Sequence, residues 1–382
     1  MRKKLIFLLP LLAACDRISV SGDEYPEPKQ PSAVYSVAVE YPEDYNWRVD
    51  SLGGKVPTSI VCYADSIEFL RLNTLESGIL GIDADMHRIV QGHLYSDFST
   101  TTDETVISRD GKELFRYRGR EMICGFQVRD TSVFALCCPR NGKGWTYRHN
   151  GKAIISSENG TLQSGLYEDR GQLCFSYTEP IVAGRQHVGR HYFVSDGKDS
   201  LLMIPADVSS VLAIRRFDGR INYLATLRYM KGLVWQQGSK AVVADRSTES
   251  ASTGECGFVV AENSLLATAR MDDVTYFWDR DNTEYSTMPH FTADAVCDNK
   301  PYLCYASSYY GMGRSLTVHY KHRDFTIPYR YRLTSSNAFT CDRNEFAIGL
   351  NDCDDNYRPL IIHGRDTMRF GFNGYFIGLS LP

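Results

Sequence analysis

Two apolar runs joined by a DG-like corner recur along the chain, and their regular spacing leaves few folds open. The copies read "VISRDGKELFRY", "TYRHNGKAIIS", "YFVSDGKDSLLMI" and "LVWQQGSKAVVA", then the degenerate "YFWDRDNTEYSTM", "VHYKHRDFTIPY" and "LIIHGRDTMRF". Their corner residues, Gly111, Gly151, Gly197, Gly238, Asp281, Arg323 and Gly364, are spaced 40, 46, 41, 43, 42 and 41 residues apart. Asp-Gly and Asn-Gly favour the positive φ of type I′ turns, so each corner predicts two adjacent antiparallel strands. A second hairpin alternates with the first, in "CGFQVRDTSVFAL", "SGLYEDRGQLCFSY" and "CGFVVAENSLLATA". Four strands every 40 to 50 residues or so is the period of a β-propeller blade. A sandwich with irregular hairpins predicts no constant period.

Before the first of these corners, the stretch Ser32 to Glu104 holds six more strand-like runs: "YSVAVEY", "NWRVD", "SIVCYAD", "IEFLRL", "GILGIDAD" and "HRIVQGHLY". The last two complete the blade of Gly111, and the other four make a further blade. The terminal "FIGLSLP" is one more apolar strand. Pairing into the first blade would close the ring and remove its exposed edges. The expected fold class is all-β: a β-propeller of four-stranded antiparallel blades over residues 33–382, eight blades favoured and seven the alternative. The 24 tyrosines, 18 phenylalanines and 30 glycines suit strands and tight turns. No long amphipathic helix is legible.

Arg2, Lys3 and Lys4 precede the apolar "LIFLLPLLA". That run falls well short of the roughly 20 residues a spanning helix needs and reads as a processed export signal. Leu12, Ala13, Ala14 and Cys15 resemble the bacterial lipobox. The resemblance implies a signal peptide over 1–14 and lipid on the sulfur of Cys15. Residues 15–32, with three prolines in "DRISVSGDEYPEPKQPS", read as the lipidated cysteine and a flexible tether. Together, "LAAC" and the repeat resemble exported β-propeller lipoproteins of the Bacteroidota type. The expected location is the cell envelope, anchored to a bacterial membrane, the outer membrane before others.

Removing Arg2, Lys3 and Lys4 takes the formal charge from −4 to −7, which argues against a nucleic-acid partner. The expected partners are the lipid bilayer, through acylated Cys15, and an anionic glycan or an envelope protein. No cofactor and no metal are expected. The chain has 11 cysteines, but none lies in a CxxC pair or a Cys/His group with zinc spacing. Cys124, Cys256, Cys297 and Cys341 occupy one place in the repeated hairpin and read as small buried hydrophobes. A Cys297–Cys304 disulfide across a hairpin is an alternative.

In a blade with strands A to D, counted outward from the channel, the B–C and D–A connections share one face. Ligands of propellers usually bind there, an argument by analogy. The B–C connections carry Arg140, Arg185, Arg190, Arg228, Arg270, Arg314 and Arg358. A ring of guanidinium forks suits carboxylate or sulfate recognition. Tyr309 and Tyr310, flanked by glycine, suit stacking on a sugar, and His187 lies in the longest connection. Two opposing readings are that wet loops simply carry charge, and that Asp272, Asp273, Asp352, Asp354 and Asp355 pair with the arginines. Trp145, Trp235 and Trp278 read as blade packing. No G-x-S-x-G, H-E-x-x-H or P-loop is present. The expectation is a non-catalytic binding scaffold. The alternative is a polysaccharide lyase, with His187 or Tyr309 as acid or base beside a neutralising arginine.

Overall fold

A computed structural model of the protein describes residues 33–45, 57–73, 79–81, 88–90, 93–100, 104–119, 121–139, 143–183, 186–204, 208–227, 233–237, 240–244, 256–271, 274–279, 284–287, 291–309, 315–328 and 330–381. The described strands form eight antiparallel sheets, the eight blades of a β-propeller. No helix occurs among the described residues, so none is long and apolar enough to cross a membrane.

Seven blades are built from consecutive strands, and the first is built from both ends of the chain. Its B, C and D strands are Tyr35–Glu40, Ser59–Ala64 and Ile67–Asn73, and its innermost strand is Gly374–Ser380. The pairing runs from Tyr35 opposite Ser380 to Glu40 opposite Gly374. Phe376 and Ile377 on the closing strand are 0% and 1% exposed. The expected run "NWRVD" lies outside the described residues; the C-terminal strand supplies the fourth member of this blade. Gly374 is required there, because a Cβ on it would sit 2.0 Å from the Val39 carbonyl oxygen.

Burial follows position in the blade. In blade 8 every residue of the B strand Phe346–Asp352 is buried, because neighbouring blades cover both faces. The outermost strand of blade 4, Lys198–Leu201, is exposed throughout. Trp145, Trp235 and Trp278 lie on C strands and are 1%, 1% and 3% exposed. Trp145 packs edge-on to Phe175 of the next blade, at 5.1 Å between centroids. In blades 2, 4 and 8 the innermost strand is split in two, each half pairing with the same B strand. In blade 2 the halves are Ile79–Gly81 and Arg88–Val90, which pair with successive parts of His93–Thr100.

The corners do more than reverse the chain. Asp110 and Gly111 both adopt positive φ, 51° and 74°. The Asp110 backbone N–H donates to the Leu94 carbonyl at 2.8 Å, and its Oδ1 accepts the Leu94 N–H at 2.9 Å. Asn150 clamps Val133 in the same way, with both bonds at 2.8 Å. Asp196 clamps Leu173 with both bonds at 2.9 Å, and Asp65 clamps Val34 at 2.8 and 2.9 Å. Asp and Asn tolerate the left-handed region and also carry the acceptor, so one residue makes the turn and ties it to the B strand. In blade 8 Gly364 keeps only the backbone half, to the Phe346 carbonyl at 2.9 Å. In blade 7 the corner is Lys321–His322, and Arg323 opens the outermost strand.

Candidate functional site

Four corners repeat one clamped turn, whereas the described parts of the B–C face differ from blade to blade. In blade 4 the described residues of "TEPIVAGRQHVGRH" extend the blade as a paired ribbon. The strands Gln172–Ala183 and Gln186–Ser195 stay paired, while the innermost strand pairs no farther than Thr178. His187 lies opposite Val182 in this ribbon, and the exposed Arg190 lies opposite Glu179. At the base of the ribbon, Thr178 Oγ1 meets His191 Nδ1 at 2.9 Å, and burial lowers the His191 pKa below its ordinary value.

A pocket of about 370 Å³ opens at the seam of blades 7 and 8. Tyr309 ends the B strand Tyr305–Tyr309 of blade 7 and lines it, with Ser308, Ser315 and Leu316. Blade 8 contributes the first half of its split innermost strand, Tyr331–Leu333, and the following Thr334, Ser335 and Ser336. The break in that strand therefore creates the hydroxyl-rich wall. The Thr334 hydroxyl donates to the Phe376 carbonyl at 2.7 Å, tying the wall to the closing strand. Arg332 is exposed on the wall, with its guanidinium 5.9 Å from the Tyr357 ring centre.

Asp294 lines the same pocket. The residue is exposed overall, yet loss of water around its carboxyl raises the pKa, opposed by a hydrogen bond with Ser308 and by the charge of Arg270. Arg270 lies in the B strand Ser264–Met271 of blade 6, opposite Thr275. The seam thus brings Tyr309 and Arg270 into one neighbourhood through Asp294 and Ser308.

Other expected site residues are placed differently. Arg358 opens a C strand of blade 8, and its guanidinium donates to the Gly371 carbonyl. Asp352 is buried at 3% exposure and is paired, but with Arg369 at 3.1 Å and Arg330 at 3.8 Å. Tyr309 and His187 sit on blades 7 and 4, which are not neighbours in the ring. Cys15, Arg140, Arg185, Arg228, Tyr310 and Arg314 lie outside the described residues, and only the strand position of His187 is described.

The central channel widens into two further pockets, of about 300 and 400 Å³, that share Asp298. Arg215 on the wall of the first pairs with Asp298 at 2.8 Å. Beside it, Arg216 donates to the 6%-exposed Asp169 side chain at 2.7 Å and to Ser195 Oγ at 3.0 Å, locking blade 5 to blade 4. Neither arginine stands out in the sequence, because "AIRRFDGR" reads as an ordinary strand entering a turn.

No protein-family model and no curated protein matches the chain. Among solved structures, the β-propeller domain of the Trilobed protease from Pyrococcus furiosus aligns at TM-score 0.46 and 12% identity, over 73% of this chain and 89% of that one. Apo AztD from Citrobacter koseri aligns at TM-score 0.44 and 10% identity, over 91% and 97%. An acylaminoacyl peptidase from Pyrococcus horikoshii aligns at TM-score 0.43 and 10% identity, over 77% of this chain and 53% of that one. These likenesses concern overall fold and say nothing about what this ring binds.

Proposed function

We propose that the protein is a membrane-anchored, non-catalytic binding scaffold of the bacterial envelope that takes an acidic saccharide at the seam of blades 7 and 8. The observation that carries this reading is the seam pocket itself. Its volume of about 370 Å³ falls within the range of small-molecule sites. Its lining combines two tyrosines, Tyr309 and the buried Tyr331, with a row of hydroxyls, the Asp294 carboxyl and the Arg332 side chain. That chemistry matches a sugar: a ring face for stacking, hydroxyls for hydrogen bonds, and a two-pronged donor for a carboxylate or sulfate. The processed chain of this reading, with a formal charge of −7, repels polyanions at long range, so affinity comes from this local positive group. The anchor in this reading is lipid on Cys15, with residues 16–32 lifting the ring off the membrane.

A glycan array tests the ligand class. Uronate-bearing or sulfated glycans bind, and binding weakens with salt, because exposed charges are screened beyond roughly 8 Å at physiological ionic strength. Arg332→Ala and Tyr309→Ala each lower affinity by about tenfold or more, in line with loss of a charge-assisted hydrogen bond or a ring contact. Lys152→Ala at a corner changes nothing. An array without acidic hits rejects the ligand class. Cys15→Ala moves the protein from the membrane fraction to the soluble one, and retention in the membrane rejects the anchor.

A further inference from the structure

Three cysteines distant in sequence meet inside the ring. Cys297 follows the innermost strand of blade 7, Cys304 precedes its B strand, and Cys341 ends the split innermost strand of blade 8. Their sulfurs all lie within 4.8 Å of one another. Cys297 is 5% exposed, and Cys304 and Cys341 are 0% exposed. The hairpin fixes two of them, since the Cys297 N–H donates to the Cys304 carbonyl at 2.9 Å. We propose that Cys297, Cys304 and Cys341 form a sulfur-only site for a soft monovalent d¹⁰ cation, Cu(I), which cross-links blades 7 and 8 next to the ring closure.

Geometry selects the ion. Three sulfurs around one ion at metal–sulfur distances near 2.3 Å stand about 4 Å apart, a spacing that fits inside the 4.8 Å limit of the observed cluster. Structural zinc is almost always four-coordinate. Among the described residues, no fourth Cys, His, Asp or Glu atom joins this group. Soft thiolates with a low coordination number favour Cu(I). The surroundings also tolerate the charge. Lys300, whose Nζ donates to Thr340 Oγ1 at 3.3 Å beside Cys341, places a positive charge near the cluster. Starting from three thiols, binding forms three Cu–S bonds, releases three protons to solvent and transfers no electron. Entry is through the channel, because Cys297 and Lys300 line its pocket of about 400 Å³.

The test uses the full chain carrying Cys124→Ser and Cys138→Ser, which removes the other close pair, whose sulfurs are 3.0 Å apart. The protein is loaded anaerobically with a Cu(I) acetonitrile complex, challenged with a bicinchoninate competitor and read by metal analysis and X-ray absorption. The expected result is one copper per chain with three sulfur neighbours, and an affinity at least about a hundredfold lower in Cys304→Ser and Cys341→Ala. The absorption spectrum of the parent chain needs no further variant, so a misfolded variant leaves the proposal testable. No retained copper, nitrogen or oxygen neighbours in place of sulfur, or displacement of Cu(I) by equimolar Zn(II) overturns it. So does mass mapping that finds Cys297 joined to Cys304 as a disulfide in protein isolated from envelopes.

Discussion

The two faces of this ring are built from the same blades by opposite rules. On the corner face, Asp65, Asp110, Asn150 and Asp196 make one turn four times and fasten it to the B strand with the same pair of hydrogen bonds. On the loop face the described parts differ from blade to blade. Blade 4 extends into a ribbon, blade 8 folds a tight acidic turn with Asn356 and Tyr357 at positive φ, and the seam of blades 7 and 8 opens into a pocket. The difference separates tasks. A face tied by repeated local bonds holds the register, which leaves the opposite face free to vary in length and chemistry.

The comparison breaks most visibly at the closure. Deleting residues 374–381 removes the innermost strand of blade 1 and with it Phe376 and Ile377, both fully buried. Truncating one buried Phe to Ala costs about 3–5 kcal/mol, and typical total stability is about 5–15 kcal/mol, so loss of the strand abolishes the cooperative thermal transition. A truncated chain that melts like the full one refutes closure by this strand.

Arg216→Ala comes next. It leaves the buried Asp169 carboxylate with the Gly219 N–H but no neutralising charge, which costs up to about 3–5 kcal/mol for a buried pair. Urea denaturation measures it, and a loss under about 1 kcal/mol shows that Asp169 finds other partners. The corner clamp is smaller. Asn150→Gly keeps the positive φ but removes the side-chain acceptor from the Val133 N–H, for a loss of about 1 kcal/mol. The equivalent Lys321→Gly in blade 7, where no Asp or Asn stands at the corner, is expected to be neutral or stabilising. Equal losses at both corners would mean that the turn, and not the clamp, holds the strands.

The smallest effect is a pH slope. The folded-state pKa of His191 is lowered by burial, so the folded protein binds fewer protons than the unfolded chain below the ordinary histidine value of about 6.5. Its contribution to stability is therefore complete above that value and is lost as pH falls through the folded pKa. His191→Gln flattens the stability profile over that interval by less than about 1 kcal/mol. An unchanged profile assigns the slope to other groups.

The corner face was legible in the sequence because it is local. A turn needs only adjacent residues, so Asp110-Gly111 and Asn150-Gly151 announce it and their spacing gives the blade period, while the blade 1 corner at Asp65-Ser66 lacks the glycine and left the count at seven or eight. The terminal "FIGLSLP" was readable as a closing strand for the same reason: an apolar run with no partner nearby must find one far away. The second role of Asp110 and Asn150, clamping Leu94 and Val133, was hidden, since nothing in "SRDGKE" points sixteen residues back. The seam was hidden further. Asp294, Ser308 and Arg332 lie on strands of two blades, and only the break after Leu333 brings them to one pocket. Loop arginines were a poor guide, because Arg270 and Arg358 prove to be strand residues and Arg358 is held by the Gly371 carbonyl.

The division of labour between the faces is tested most directly by hydrogen–deuterium exchange with and without a saturating sulfated or uronate-bearing oligosaccharide. Protection on ligand addition is expected at 308–309, 315–316 and 331–336, with corner amides at 110–111, 150–151 and 196–197 unchanged. With a sulfated ligand, whose charge persists in mild acid, the seam protection grows as pH falls toward the raised pKa of Asp294, because protonation removes a repelling carboxylate. Protection at the corners, or none at the seam, contradicts the assignment of binding to the loop face.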